Sequence, residues 1–407
     1  MRFLMVTTFY PPHHFGGDGT YVRQLSEALK LRGHEVDVVY CYDAYRISGG
    51  QNGKDAARAE TSNSVYMLES RFGALSPLLT QMTGYPGLKR KALKSLFARS
   101  YDVVHFHNLS LVGGAGALPL SNGRLTLFTA HEHWTVCATH IFWKNGKKAC
   151  DGRTCFSCQI RSGRPPQLWR YTNLLERKFK SVDHIFAPSE FTRDALAEGG
   201  ITRPTSVLPL FAPNGFEALA KIDDPVAKSD FLYVGRVTPS KGIAELVQLF
   251  AQRPQYTLSV VGDGDYLAAL QEQAKSVSNV NILGRQPQDA LPGLYRRATA
   301  VILPSLAPES FGLTTIEGFA QGTPAIVRDA GGAGESVRKT GAGIVYKTET
   351  EGLAALDALA NDSAYRNNLG KIARKSFLEH FSEQRHVDNY MDRIGGLLDA
   401  KHQEDQI

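Results

Sequence analysis

The residues with the most chemistry lie in Pro308-Glu309-Ser310-Phe311-Gly312-Leu313-Thr314-Thr315-Ile316-Glu317-Gly318, after an apolar run at 300–304 and before a helical pattern. A helix opening at Gly312 offers the N–H groups of Gly312, Leu313 and Thr314 without intrahelical acceptors. Its dipole is positive at the same end, so a phosphate fits there. Glu309 precedes that helix, and Glu317 lies more than one turn into it. The two carboxylates therefore address different parts of one ligand. Glu309 reaches a group attached to the phosphate, and Glu317 accepts hydrogen bonds from a vicinal diol. The plainer alternative is a favourable N-terminal charge and a surface glutamate.

Gly235-Arg236-Val237-Thr238-Pro239-Ser240-Lys241-Gly242 adds a guanidinium just past a strand and an ammonium at the start of the next helix. Together they can neutralise a diphosphate, although Arg and Lys are more often solvated surface cations. A third feature is the loop Phe15-Gly16-Gly17-Asp18-Gly19, where glycine lets the backbone approach a ligand closely. The dinucleotide pattern G-x-G-x-x-G is absent, so a nicotinamide or flavin dinucleotide is not expected.

These groups need strands to carry them. Strand-length apolar runs at Phe3–Thr8, Val36–Tyr40, Asp102–Phe106, Leu125–Thr129 and His184–Ala187 alternate with helical patterns such as Thr20–Leu31. Residues 46–64 read as a polar loop, and 213–228 as a Pro- and Gly-punctuated linker. Alternation then restarts with strands at Phe231–Gly235, Leu258–Gly262, 280–283, 300–303 and 325–328, and helices at Ile243–Phe250, Tyr266–Ala274, 288–297 and 313–320. The expected fold is α/β, with two doubly wound parallel-sheet domains, 1–212 and 229–380, facing a cleft. The final segment, 381–407, reads as helix with a frayed tail from His402.

The 407 residues suit two or three domains, and 43% hydrophobic with 21% charged residues exclude disorder or coiled coil as the main architecture. A net charge of +6 suits phosphate-bearing ligands but is too weak to argue for nucleic acid. The first apolar run stops at Pro11-Pro12, which reads as a strand rather than a leader. No run reaches the roughly 18 apolar residues of a membrane span, so a cytoplasmic protein is expected.

Taken together, these segments resemble the retaining glycosyltransferases of family 4, which have the GT-B fold. The resemblance covers nearly the whole chain. It is most specific at 300–335, which holds the E-x7-E pair Glu309 and Glu317 and then Gly331, Gly332 and Glu335. It implies a nucleotide-sugar donor, UDP- or GDP-linked, transferred to a glycan, lipid-linked or small-molecule acceptor. Arg236 and Lys241 would hold the diphosphate with the N–H groups of Leu313 and Thr314. Glu317 would bind the ribose, Glu309 the donor sugar, and Gly17 the diphosphate or acceptor. His131, in Thr129-Ala130-His131-Glu132, matches a histidine placed near the donor sugar, although Glu132 replaces the commoner aspartate. The diphosphate then leaves on cations and a helix N-terminus, with no catalytic metal required. The resemblance also implies a C-terminal helix that returns to the first domain. Asp263-Gly264-Asp265 reads as a strand-to-helix turn rather than a metal-binding D-x-D.

An insertion at 131–165 carries Cys137, Cys150, Cys155 and Cys158 in the spacing C-x12-C-x4-C-x2-C. Four thiolates would satisfy a structural zinc, with His133 and His140 as substitutes; disulfides or buried thiols are the alternatives. Cys41, at a strand end, reads as core. Residues 88–99 form a basic amphipathic helix, with Leu88, Ala92, Leu96 and Arg99 on one face and Lys89, Arg90, Lys91 and Lys94 nearby. The favoured reading is a core-facing helix with a solvated basic side; peripheral contact with an anionic membrane is the alternative. An epimerase or phosphorylase of the same architecture, or a non-catalytic sugar-nucleotide binder, completes the functional alternatives. No convincing acid/base set supports the epimerase, and intact Arg236, Lys241, Glu309 and Glu317 argue against the binder.

Overall fold

A computed structural model describes residues 1–49, 64–213, 215–219 and 230–404. Most of the loop expected at 46–64, residues 214 and 220–228 of the linker expected at 213–228, and the end of the C-terminal tail lie outside the described residues. The chain forms two compact units. One comprises Met1–His140, Thr154–Leu208 and Val387–Ile407, and the other Ile141–Arg153 and Pro209–His386.

The first unit holds a seven-stranded parallel sheet. Its strands are β1 (Arg2–Val6), β2 (Glu35–Cys41), β3 (Val65–Leu68), β4 (Val103–Phe106), β5 (Leu125–Thr129), β8 (His184–Ala187) and β9 (Thr205–Val207). The numbers between belong to a two-residue hairpin of the second unit, β6 (Trp143–Lys144) and β7 (Lys148–Ala149), paired antiparallel. The sheet order is β3-β2-β1-β4-β5-β8-β9, so the direction of winding reverses between β1 and β4. β1, β4 and β5 are apolar runs buried almost throughout, as expected of parallel strands covered on both faces. Leu4, Val6, Val39, Val104 and Phe106 centre the core.

The second unit holds six parallel strands: β10 (Asp230–Val234), β11 (Thr257–Val261), β12 (Val280–Gly284), β13 (Val301–Leu303), β14 (Ala325–Arg328) and β15 (Gly343–Tyr346). Their order is β12-β11-β10-β13-β14-β15, and winding reverses between β10 and β13. In such sheets ligands bind beyond the carboxyl ends of the strands at the reversal. Arg236 and Lys241 follow β10, and Glu309 follows β13, so the topology brings them to one edge.

The basic helix needs correction. Residues Gly87–Lys89 form a 3-10 turn and Arg90–Phe97 the helix. Leu93, Leu96 and Phe97 are its buried face, while Leu88 and Ala92 are exposed. Lys89 does not belong to the surface cluster: it is buried and donates to Ser76 Oγ and Thr80 Oγ1, each at 3.1 Å. A polar-lined niche beneath the preceding helix takes up its ammonium.

Candidate active site

The donor-side candidates assemble on loops that lock one another. The 235–242 loop is tied to β13's loop by Leu306 N–H and Ala307 N–H, both donating to Ser240 O at 3.0 Å. It is tied to β11's loop by Val237 N–H donating to Asp263 O at 2.9 Å and Tyr266 N–H to Val237 O at 3.1 Å. Tyr233, fully buried on β10, donates its hydroxyl to Arg236 O at 2.7 Å and holds the turn. Gly262 is essential to this contact: at φ +142°, a Cβ there would lie 1.8 Å from Gly235 O. Asp263 Oδ1 accepts from Gly264 N–H at 2.7 Å, so the Asp-Gly-Asp segment is a turn.

Within this frame Lys241 Nζ donates to Glu309 Oε1 at 2.6 Å. Ser305 Oγ donates to the same oxygen. Both side chains are partly buried, 28% and 17% exposed, so the pair is shielded yet reachable. The Glu309 backbone is pinned as well: its N–H donates to Ala330 O at 3.0 Å, and its carbonyl accepts from Gly332 N–H at 2.7 Å. The helix Leu313–Ala320 begins directly after, at Gly312, whose φ of +92° reverses the chain. Gly312, Leu313 and Thr314, which open that helix and carry N–H groups without intrahelical acceptors, are half-exposed. Arg236 is exposed at the same edge.

Glu317 lies on the inner side of that helix and is buried to 9% exposure. The Tyr295 hydroxyl, fully buried, donates to Glu317 Oε2 at 2.5 Å. Burial raises the Glu317 carboxyl to about 7, with the Tyr295 hydrogen bond pulling the other way. Glu317 is therefore not the plain surface glutamate of the alternative reading. Tyr295, Ser305 and Ser240 carry no sequence signal of their own: Tyr295 acts through helix packing, Ser305 through the path of its loop, and Ser240 through its backbone carbonyl.

In the first unit, Gly16 and Gly17 are exposed at the start of the helix Gly17–Leu31, with Gly16 at φ +75°. His131 is buried. Its Nε2 lies 3.0 Å from His107 Nδ1, and the Tyr21 ring meets it edge-on at 4.9 Å. His105 bonds Tyr390 OH through Nδ1 and Thr129 Oγ1 through Nε2, each at 2.8 Å. Asp18 accepts from Asn108 Nδ2 at 3.0 Å and Gly19 N–H at 2.8 Å. Burial, assisted by the Glu132 charge, raises the Asp18 carboxyl to about 6. Glu132 itself is held below the usual range: burial works to raise it, but the charge and hydrogen bond of His140, at 3.0 Å, prevail. The signal for His105 and His107 was present in Val103-Val104-His105-Phe106-His107, where strand alternation puts both imidazoles on one face.

The cysteines do not gather as a zinc site. Cys155 and Cys158 share the helix Cys155–Arg161, Cys137 is buried in the first unit, and Cys150 is exposed in the second. Among the described residues no group of three or more His, Cys, Asp or Glu side chains is placed to hold a metal ion. Cys150 belongs with the hairpin segment Ile141–Arg153. The polar loop that seemed to need a metal tie has other anchors: Lys144 and Lys148 both bind Asp151, at 2.5 Å. Cys41 is buried in the core of the first unit.

Comparison with known proteins now defines the class. The family description "Glycosyltransferase Family 4" matches residues 15–212, and "Glycosyl transferases group 1" matches 217–376. The chain belongs to the family 4 glycosyltransferases and has their GT-B fold. An uncharacterized glycosyltransferase of Methanocaldococcus jannaschii is 27% identical, over 94% of this chain and 95% of its own length. The glycogen synthase of Mycobacterium tuberculosis is 28% identical, over 94% of this chain and 92% of its own length. Among solved structures, sucrose-phosphate synthase from Thermosynechococcus elongatus superposes with a TM-score of 0.75 at 20% identity, covering 98% of this chain and 99% of its own. Anabaena HepE, solved with UDP and glucose, gives a TM-score of 0.69 at 19% identity, covering 97% of this chain and 100% of its own.

Proposed function

We propose that this transferase moves a sugar with retention of configuration from a UDP- or GDP-sugar to a hydroxyl of a glycan, lipid-linked or small-molecule acceptor. The observation that carries the reading is the Lys241–Glu309 pair beside the N-terminus of the helix Leu313–Ala320. Arg236, Lys241 and the N–H groups of Gly312, Leu313 and Thr314 bind the diphosphate. Glu317, held by Tyr295 through Oε2, offers its carboxylate to the ribose diol. Glu309 takes hydroxyls of the donor sugar. His131 and the Gly16-Gly17 backbone serve the sugar and acceptor from the first unit.

In the reaction, the bond from the anomeric carbon to the diphosphate oxygen breaks through an oxocarbenium-like state. The bonding pair leaves with the diphosphate, where Lys241, Arg236 and the helix N-terminus stabilise it. The acceptor oxygen attacks the same face, and its proton passes to the departing phosphate. These groups can carry the leaving group without a catalytic metal. The UDP-bound Anabaena neighbour supports the uridine branch of the donor choice.

A thermal-shift panel of UDP, GDP, ADP, their sugar conjugates and NAD tests the reading. A ligand at about 100 times its Kd stabilises by about 2.7 kcal/mol. A shift with one nucleoside diphosphate and none with NAD is expected. A flat response overturns the donor assignment, and an inverted anomeric product by NMR overturns retention.

A further inference from the structure

The helix Leu75–Thr83 in the first unit is inside out. Its buried residues are Ser76, Pro77, Thr80 and Gln81, whereas Leu75, Leu78 and Met82 are exposed. Helical spacing explains the division: 75, 78, 79 and 82 share one stripe, while 76, 80, 77 and 81 fall opposite. The polar inner face has an internal task, because Ser76 and Thr80 receive the buried Lys89 ammonium and Gln81 O accepts from Trp169 Nε1 at 2.9 Å. Nothing of that kind explains the apolar outer face. Tyr85 and Leu88, next in the chain, are also exposed, and the 3-10 turn Leu168–Tyr171, whose Trp169 bonds Gln81 O of this helix, exposes Leu168 and Tyr171, each to 62%.

The exposed charge along this stretch is basic. From residue 70 through residue 101 there is no Asp or Glu. Arg71, Arg90, Lys91, Lys94 and Arg99 in the same stretch are all exposed. Lys178 lies 5.3 Å from the centre of the Tyr85 ring. The acids that meet this stretch are Asp37, 3.9 Å from Arg99, and the buried Asp43, which accepts from Ser70 N–H at 2.9 Å; Glu69 lies just before the stretch, and Glu176 is flanked by Arg177 and Lys178.

We infer that the Leu75–Thr83 helix and its basic surround dock this protein on an anionic lipid bilayer. The leucines and Met82 enter the headgroup–acyl boundary, and the arginines and lysines meet lipid phosphates. A protein partner would need an acidic rim around an apolar socket, whereas a bilayer supplies both over any area. The inference does not depend on the sugar donor, because its readout is binding alone.

The test is co-sedimentation of the full chain with phosphatidylcholine vesicles, with and without about one third phosphatidylglycerol. Association only with the anionic vesicles, weakening as salt rises, is expected. Leu78→Glu should weaken it by at least about tenfold, and the double variant Arg90→Glu/Lys91→Glu by about as much. Unchanged melting temperatures and UDP response would show that these variants remain folded; Met82→Glu replaces Leu78→Glu if the latter fails to fold. No association at low salt overturns the inference. So does association that survives both glutamate variants. A concentration-dependent dimer lost in Leu78→Glu, without vesicle binding, would assign the face to a second copy and also overturn it.

Discussion

Lys241 Nζ and Glu309 Oε1, 2.6 Å apart, join the loops that follow β10 and β13 across the point where the sheet reverses its winding. The proposed diphosphate cation and the proposed sugar carboxylate thus hold each other in place. Removing either disturbs both. Lys241→Ala should weaken UDP or GDP binding by about 10- to 100-fold, read by calorimetry. Glu309→Ala should lower kcat by about 100-fold or more with the fold intact. In a double-mutant cycle the pair should be non-additive by about 0.5–3 kcal/mol. Full additivity would mean that they act separately.

Glu317 gives a pH signature. Its folded carboxyl sits near 7, above its ordinary value of 4.5. The folded state therefore favours the proton, and the stability this contributes is complete below about 4.5 and lost as pH rises through about 7. Donor binding runs the other way, because the ionised carboxylate accepts the ribose hydroxyls. UDP affinity should fall as pH drops through about 7. Tyr295→Phe removes the hydrogen bond that favours ionisation, so the inflection should move upward; in Glu317→Gln it should vanish. A wild-type affinity flat from pH 6 to pH 8 would remove Glu317 from the site.

His131→Ala should lower transfer by about 100-fold while leaving UDP affinity within a few-fold, since His131 is proposed to meet the sugar rather than the nucleotide. Equal kcat in the variant would return His131 to a structural role beside His107 and Tyr21.

Gly242 has φ +69°, and a Cβ there would lie 2.1 Å from Pro304 O. Gly242→Ala should cost about 2–3 kcal/mol in urea unfolding, because backbone rather than a flexible side chain must yield. It should also weaken UDP binding, since the displaced turn carries Lys241.

The absence of a gathered thiolate set makes a prediction of its own. EDTA should leave the melting temperature within about 1 °C, because among the described residues no group of three or more His, Cys, Asp or Glu side chains is placed to hold a metal ion. Cys150, exposed, should react first with a thiol reagent. Stoichiometric zinc in the purified protein would contradict both.

Much of this was legible in the sequence. Leu125–Thr129, His184–Ala187, Leu313–Ala320 and Ala325–Arg328 occur as expected, because short apolar runs bounded by turn residues leave little freedom. Strands β3 and β9 were not expected: both are short edge strands, only partly buried; β3 is four residues just after the polar loop read at 46–64, and β9 has a weak apolar pattern. The helix Leu75–Thr83 escaped because its polarity is inverted, so it carries no core-facing stripe. Glu309, Lys241 and Glu317 stood out by spacing. Ser305 and Tyr295 did not: Ser305 meets Glu309 only through the path of the loop they share after β13, and Tyr295 meets Glu317 only through the packing of the helices Leu291–Arg297 and Leu313–Ala320.

The helix Glu383–Glu404 carries a consequence for how the molecule is made. From Val387 onward it belongs to the first unit, where Tyr390, fully buried, bonds His105 on β4. A ribosome finishes the second unit's sheet before it synthesises this helix. The unit begun first is therefore completed last, and its sheet must wait, incompletely packed, while residues 208–386 are made. Nascent chains stalled before Val387 should show a protease-resistant second unit and a first unit still open to cleavage.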